Sequence, residues 1–272
     1  MRDQRVALVT GVSSGIGRAV ALLLSSRGFR VFGTVRHLSP SDRRSGNLDF
    51  IPLDVRDEES VEACVRSVLD QARKIDVVVN NAGYTLVGSL EETSIEEAKQ
   101  LFDTNFFGVL RMNRAVLPAM RQQGSGRIIN IGSMVGFLPA PYQGIYAASK
   151  HALEGYSESL DHEVRQFGIR VSVVGPGFTR TKIAKNALTT RQRLEPYDTE
   201  REILLNAIKS NNERGQGPAA VAAVVLRSLE SRLPQARYVV GPGTGFVLQM
   251  RKFAPATLFD RGLRRQFNLT SP

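Results

Sequence analysis

The sequence predicts an α/β fold: a doubly wound parallel sheet of seven strands with helices on both faces. Three observations predict it. Over residues 1–180, short β-branched runs alternate with longer stretches of helical period. Several runs are almost wholly apolar, as strands covered on both faces must be. A glycine-rich turn follows the first run directly and opens a helical stretch.

The candidate strands are 6–10, 30–35, 48–53, 76–80, 127–131 and 170–174, with a last one at 237–240. Between them lie helical stretches at 15–27, 57–73, 94–121 and 145–167. Gly28, Gly124, Gly126 and Gly168 punctuate the helix ends, where a residue of positive φ is wanted. No repeat, low-complexity tract or Pro/Ser-rich linker interrupts the 272 residues, so 1–272 is read as one domain. Beyond Thr181 the pattern changes: 182–217 is polar and charged, broken at Pro196 and at Gly215-Gln216-Gly217, and is read as a substrate lid. In the C-terminal extension, 244–272, Phe259, Leu263 and Phe267 form one helical stripe. The stripe suits docking on the core or on a second subunit, with a membrane surface as the alternative.

Composition narrows the class. Hydrophobic content is 42% and charged content 23%, ordinary values for a globular chain. No apolar run approaches the roughly 18 residues that span a bilayer, and the start, MRDQRVALVT, has no signal-peptide character. The single cysteine, Cys64, excludes an internal disulfide; it sits among apolar helical neighbours as a core thiol, which points to a reduced, cytoplasmic compartment. The net charge of +10 is scattered, with adjacent pairs such as Arg43-Arg44, Arg251-Lys252 and Arg264-Arg265 but no long basic run. That distribution predicts a solvated surface with a local anion site, not nucleic-acid binding. No metal site is expected.

The turn after the first strand reads Thr10-Gly11-Val12-Ser13-Ser14-Gly15-Ile16-Gly17. Such a strand–turn–helix unit brings backbone N–H groups to a pyrophosphate at the positive end of a helix. Gly11 serves the tight turn, Gly15 the close approach and Gly17 the helix–sheet packing. The second strand ends Gly33-Thr34-Val35-Arg36-His37, with no carboxylate before Asp42. A carboxylate there would repel a 2′-phosphate, whereas the forked guanidinium of Arg36 suits one, so NADP(H) is the expected cofactor. Ser14 and Thr34 are candidate hydroxyl donors. Asp54, in Leu53-Asp54-Val55, is placed to accept from an adenine amino group. Asn80, Asn81, Ala82 and Gly83 end the fourth strand, where the small residues leave room for a ribose.

Tyr146 and Lys150 stand four residues apart, on one face of a helix. A free tyrosine, with a pKa of about 10, is a poor base at neutral pH; a neighbouring ammonium stabilises its phenolate. Such a tyrosine takes a proton from an alcohol or gives one to a carbonyl. Tyr142 lies too far from Lys150 and is read as a wall residue. Ser133, after the strand 127–131, is placed to hold a carbonyl beside Tyr146. Asn105 sits mid-helix, where an amide is locally unhelpful; holding a water near Lys150 or satisfying a buried backbone group would each explain it.

In order, TGVSSGIG at 10–17, LDV at 53–55, NNAG at 80–83, Asn105, Ser133, Tyr146-x-x-x-Lys150 and PGFTRT at 176–181 resemble the short-chain dehydrogenase/reductase family along nearly the whole chain. The resemblance implies a seven-stranded Rossmann sheet and a catalytic set of Asn105, Ser133, Tyr146 and Lys150. It implies cofactor contacts at Gly11, Ser13, Ser14, Gly15, Ile16, Gly17, Arg36, Asp54, Val55, Asn81, Ala82, Gly83, Tyr146 and Lys150, with Pro176, Gly177, Thr179 and Thr181 at the nicotinamide end. Gly132 departs from it, where many members carry serine. The C-terminal part is similar to the hydroxysteroid and retinol dehydrogenase branch and to bacterial carbonyl reductases. The expected activity is reversible hydride transfer between NADP(H) and a fairly large hydrophobic ketone, aldehyde or secondary alcohol, in a homodimer or homotetramer. The substrate would touch Ser133, Phe137, Leu138, Tyr142, Tyr146 and Phe178. A cofactor-binding sensor without turnover is the alternative.

Overall fold

The computed structural model describes residues 4–38, 46–181, 188–267 and 269. Asp42, Arg43-Arg44 and 182–187 of the expected lid lie outside them. Seven strands form one parallel sheet: β1 (Val6–Val9), β2 (Arg30–Val35), β3 (Leu48–Pro52), β4 (Val77–Asn80), β6 (Gly126–Ile131), β7 (Ile169–Pro176) and β9 (Arg237–Val240). Their order is β3-β2-β1-β4-β6-β7-β9, so the chain runs outward from β1 in one direction, then reverses and runs outward past β4. A separate parallel pair joins β5 (Leu86–Val87) to β8 (Leu188–Thr189). Because the seven strands are parallel, all their carboxyl ends meet along one edge, where an open α/β sheet binds its ligands.

The helices are α1 (Gly15–Ser26), α2 (Glu58–Ala72), α3 (Ile95–Phe102), α4 (Gly108–Gln123), α5 (Gly144–Val164), α6 (Asp198–Arg214), α7 (Pro218–Glu230), α8 (Thr244–Phe253) and α9 (Ala256–Gln266). The strand pleat divides the core in two. Ala7, Val9, Val77, Val79 and Ile129 face one layer, with Val20 and Leu24 of α1 and Val221 and Val225 of α7. Leu8, Val78 and Ile128 face the other, with Val65 of α2, Met112 and Val116 of α4, and Leu160 of α5. Each such side chain contributes about 1.5–3 kcal/mol on burial. Cys64 belongs to the second layer, where burial pushes its thiol up to about 12 and leaves it unreactive.

Gly28, Gly124 and Gly168 do adopt positive φ at helix ends, whereas Gly126 begins β6. The single helix expected at 94–121 is three pieces: α3, a π-helical turn at Asp103–Phe107 and α4. The segment read only as polar contains β8, a 3-10 turn at Glu195–Tyr197 and α6.

Asp161 of α5 ties that helix to the sheet. Its Oδ1 accepts from the Val171 N–H and the Arg170 Nε, each at 2.8 Å, and Arg165 binds Oδ2. Burial alone would raise its pKa, but these donors outweigh it and hold the carboxyl at about 2. A depressed carboxyl stabilises the fold above its unfolded pKa of about 3.9 and ceases to do so as pH falls through its folded value. We therefore expect Asp161→Asn to cost about 2–3 kcal/mol in urea unfolding at pH 7. The gap between variant and parent should close as the pH approaches 2.

Candidate active site

The glycine turn is built as its spacing requires. Gly11 (φ +71°) and Gly15 (φ +63°) hold left-handed backbone that side chains disfavour. A Cβ on Gly17 would overlap the Asn81 amide and the Gly11 carbonyl. Asn81 Nδ2 donates to the Thr10 and Gly11 carbonyls at 2.9 and 3.0 Å, and the Asn81 and Ala82 N–H groups donate to Thr10 Oγ1. The end of β4 thus clamps the turn. Ser14 stands at the N-cap of α1 without capping it, so its hydroxyl and the first amides of the helix are free of a side-chain cap bond. Ser13 is exposed and Ile16 half-buried. Such a cradle fits a pyrophosphate.

Two expected contacts come out differently. Thr34 is buried beneath the turn, its Oγ1 accepting from the Gly11 N–H at 3.3 Å, so it supports the loop from inside. Asn80 also points inward: its Nδ2 donates to Asn113 and Asn130 Oδ1 at 2.9 and 2.8 Å. The strand alternation that turns Asn81 toward the glycines turns Asn80 away from them.

Arg36 is exposed just past β2. Asp54 is clasped by Arg56, whose Nε and Nη2 reach its two oxygens at 3.0 and 2.6 Å. Arg56 first, and Arg36 at longer range, keep that carboxyl at about 2. The Asp54 expected to meet adenine thus already shares both oxygens with a guanidinium. Val55 is buried against Gly108. On the other side, Gly177 N–H donates to the Val240 carbonyl at 2.8 Å after the buried Pro176, and Thr179 Oγ1 donates to the Gly177 carbonyl. Thr181 lies against Gly15, 3.5 Å from where a Cβ would stand there.

At the carboxyl end of β6, Tyr146 of α5 turns its hydroxyl inward, beside the hydroxyls of Ser133 and Thr85. Burial raises its pKa and these hydroxyls oppose the rise. Lys150 is buried; its Nζ donates to the Ile131 carbonyl at 2.8 Å and stands 5.9 Å from the Tyr146 ring centroid. Burial lowers the ammonium to about 8, against the pull of Glu154. Here the tyrosine hydroxyl leans on two hydroxyls, and the ammonium is held by backbone.

Asn105 sits in the π-turn. Its Nδ2 donates to the Tyr84 carbonyl at 2.9 Å and its Oδ1 accepts from the Tyr84 N–H at 3.0 Å. Of the two sequence explanations, satisfaction of a buried backbone segment is therefore observed. Gly83 permits it, since a Cβ there would lie 2.9 Å from Asn105 Oδ1.

Tyr142 and Phe178 join an apolar cluster with Val87, Leu204, Leu263 and Phe267. Tyr142 has positive φ (57°) and donates to Glu200 Oε2 at 3.3 Å. Burial and Glu200 push its phenol up to about 12. Phe137 lies outside the cluster, its ring 5.9 Å from the Arg237 guanidinium, and Leu138 is buried. Of the tail stripe, Leu263 and Phe267 dock on this cluster, and Phe259 packs under Arg251 at 5.0 Å.

Sequence reasoning missed Thr85, Glu154 and Arg237. Buried Glu154, one turn after Lys150, is bound by Arg237 Nη2 of β9 at 2.7 Å, and its Oε1 has no hydrogen-bond partner among the described residues. Gly132 and Gly136 make room for it: a Cβ on either would lie 3.3 Å from that oxygen. On Gly132 the same Cβ would also press 2.6 Å from Val173, so serine does not fit there as packed. Glu154 has a helical signal, the i+4 step from Lys150; Thr85 and Arg237 have none.

Residues 5–192 match the short chain dehydrogenase family. The chain is 38% identical over 240 residues to the 3-ketodihydrosphingosine reductase of Bacteroides thetaiotaomicron, covering 88% of each. It resembles the closed form of a serine dehydrogenase complexed with NADP+ at a TM-score of 0.75 and 27% identity, over 88% of this chain and 95% of that one. It also resembles a short-chain dehydrogenase/reductase from Burkholderia phymatum in complex with NAD at a TM-score of 0.81 and 25% identity, over 99% and 98%.

Arg237 is the direct partner of the Glu154 carboxylate. Arg237→Met should cost about 3 kcal/mol at pH 8, because it leaves a buried charge uncompensated. Burial already raises the Glu154 pKa, so the loss measured by denaturant unfolding should shrink as the pH falls and the carboxyl takes up a proton.

Proposed function

The chain belongs to the short chain dehydrogenase family, as an oxidoreductase with a nicotinamide cofactor, and from that premise we propose an NADP(H)-dependent alcohol dehydrogenase or carbonyl reductase. Its substrate is a fairly large hydrophobic ketone, aldehyde or secondary alcohol. The observation that carries the reading is the inward hydroxyl of Tyr146 on Ser133, one helical turn from the buried Lys150 ammonium and at the same sheet edge as the glycine cradle.

A nicotinamide held along this edge would supply the hydride chemistry for a carbonyl or alcohol carbon. Tyr146 gives its hydroxyl proton to the carbonyl oxygen, or takes one from the alcohol. Ser133 Oγ orients that oxygen. A phenolate in a buried site needs a cation nearby. Lys150, with a pKa of about 8, is still protonated at neutral pH and provides it, while also binding the nicotinamide ribose. Asn105 positions the Tyr84 segment beside the site and links Lys150 to water. Thr85 joins the group as a second donor to the tyrosine oxygen.

Support for NADP(H) over NAD(H) comes from charge. Arg36 stands exposed where an acidic residue would reject a phosphate, and Arg56 neutralises the nearby Asp54. Gly11, Ser13, Ser14, Gly15, Ile16 and Gly17 form the pyrophosphate end; Asp54, Val55, Asn81, Ala82 and Gly83 the adenosine side; Pro176, Gly177, Thr179 and Thr181 the nicotinamide end. Support for a large apolar substrate comes from the cluster of Tyr142, Phe178, Val87, Leu204 and Phe267. Phe137 and Leu138 complete the wall. The relative that reduces 3-ketodihydrosphingosine fits that class. We read 1–272 as one domain, with 182–217 as its substrate cover, working in the cytoplasm as a homodimer or homotetramer and mainly as a reductase.

Tyr146→Phe should lower kcat by about 10²–10⁴-fold, the usual worth of a general acid, while fluorescence titration shows NADPH binding nearly unchanged. Retained turnover of a ketone panel would remove the assignment. Arg36→Ala should weaken NADPH by about tenfold or more, the worth of a charge-assisted pair, and leave NADH unaffected. Equal losses for both cofactors would move the 2′-phosphate elsewhere.

A further inference from the structure

The C-terminal helices leave one surface unexplained. On α8, Phe246 and Phe253 are seven residues apart, so they share a face, and they are 69% and 81% exposed. On α9, Leu258, Arg261 and Arg265 follow at i, i+3 and i+7 on one face; Leu258 is 55% exposed and both arginines are exposed. Arg251, also exposed, lies over Phe259 between the two helices. Residues 244–272 carry five basic side chains and one acidic one. The opposite side of the tail is spoken for: Leu263, Phe267 and Leu269 pack on Val87, Leu204, Tyr142 and Phe178.

We propose that α8 and α9 form a docking face for an anionic lipid surface, with Phe246, Phe253 and Leu258 entering the headgroup boundary and Arg261 and Arg265 binding the lipid phosphates. Charge selects this occupant. A second copy laid on the face would set these arginines against their own equivalents on a chain of net charge +10. An anionic bilayer offers both apolar depth and negative charge. At 10 and 11 residues the helices are too short to span a membrane, which takes about 20 residues, so they lie in its plane. Among the described residues no helix is long and apolar enough to cross. The placement has a consequence for the proposed activity, on which it does not depend: the docked tail is one wall of the apolar cluster, so a substrate dissolved in the bilayer reaches the site from that side.

The test is flotation of the full chain with phosphatidylcholine vesicles, with and without phosphatidylglycerol, at low and high salt and without substrate. The parent should float only with the anionic vesicles and be released by salt. Phe246→Ser with Phe253→Ser should weaken binding by at least tenfold. Arg261→Gln with Arg265→Gln should weaken it by about thirtyfold, at roughly 1 kcal/mol for each basic residue. Both variants should keep the parent's circular dichroism, melting temperature and NADPH affinity. A parent that stays with the soluble fraction overturns the proposal, as does equal flotation of parent and variants. A serine variant that turns an oligomer into a monomer while vesicle binding is unchanged assigns the face to a second copy instead. Failure of the reductase assays would leave these results untouched, since flotation involves no turnover.

Discussion

An ammonium taken out of water costs several kcal/mol unless the protein supplies partners, and the carboxyl edge of this sheet is organised around one. Lys150 Nζ rests on the Ile131 carbonyl at 2.8 Å, the last carbonyl of β6. Behind it stands the buried Glu154, and behind that Arg237 of β9. The chain of opposite charges runs from the middle of α5 to the far edge of the sheet, through space left by Gly132 and Gly136. It keeps the lysine cationic where desolvation pulls its pKa to about 8. The last strand is therefore tied to Lys150 through Glu154.

A second, uncharged network fixes the same helix against the sheet. Asn80 of β4, Asn113 of α4 and Asn130 of β6 share hydrogen bonds; Asn130 extends to Ser157, and Asn113 Nδ2 donates to the Tyr156 hydroxyl at 3.2 Å. Each strand end is thereby registered to α4 and α5. The π-turn next to this network lets Asn105 reach the Tyr84 backbone. Polar groups in such a core are costly when unpaired and rigidifying when paired. Tyr146 gains a fixed address from them without touching any.

The parts legible in the sequence are those in which neighbours along the chain do the work. The Gly11–Gly15–Gly17 turn and the Tyr146–Lys150 step are local geometry, and the two-faced strands announce themselves by composition. The parts that were not legible depend on long-range partners. Thr85 is one of many threonines until Tyr146 folds against it, and Thr34 looked like a ligand contact until the Gly11 N–H claimed it. Asn80 and Asn81 are alike in sequence and opposite in direction. Helix α6 was hidden for a sharper reason: its largest fully buried side chain is Arg201, so the charge that marks a surface in sequence marks the inside here.

Arg201 anchors the helix that contributes Leu204 to the apolar cluster. It is 1% exposed and pairs with the wholly buried Glu92, with Asp198 on its outer side. Glu92 in turn accepts from the Ser89 and Leu194 N–H groups. That pair fastens α6 and the segment before it to the loop after β5. Removing either partner would strand a charge, so the pair resists change. The apolar cluster it supports draws on Val87, Tyr142, Phe178, Leu204 and Phe267, five distant parts of the chain. None of them is Lys150, Glu154 or Arg237, so the cluster and the charged row are separate groups of side chains. If, as proposed, the cluster receives the substrate, its side chains can change selectivity while the charged row stays fixed, and Phe267 of α9's C-terminal flank shares in that.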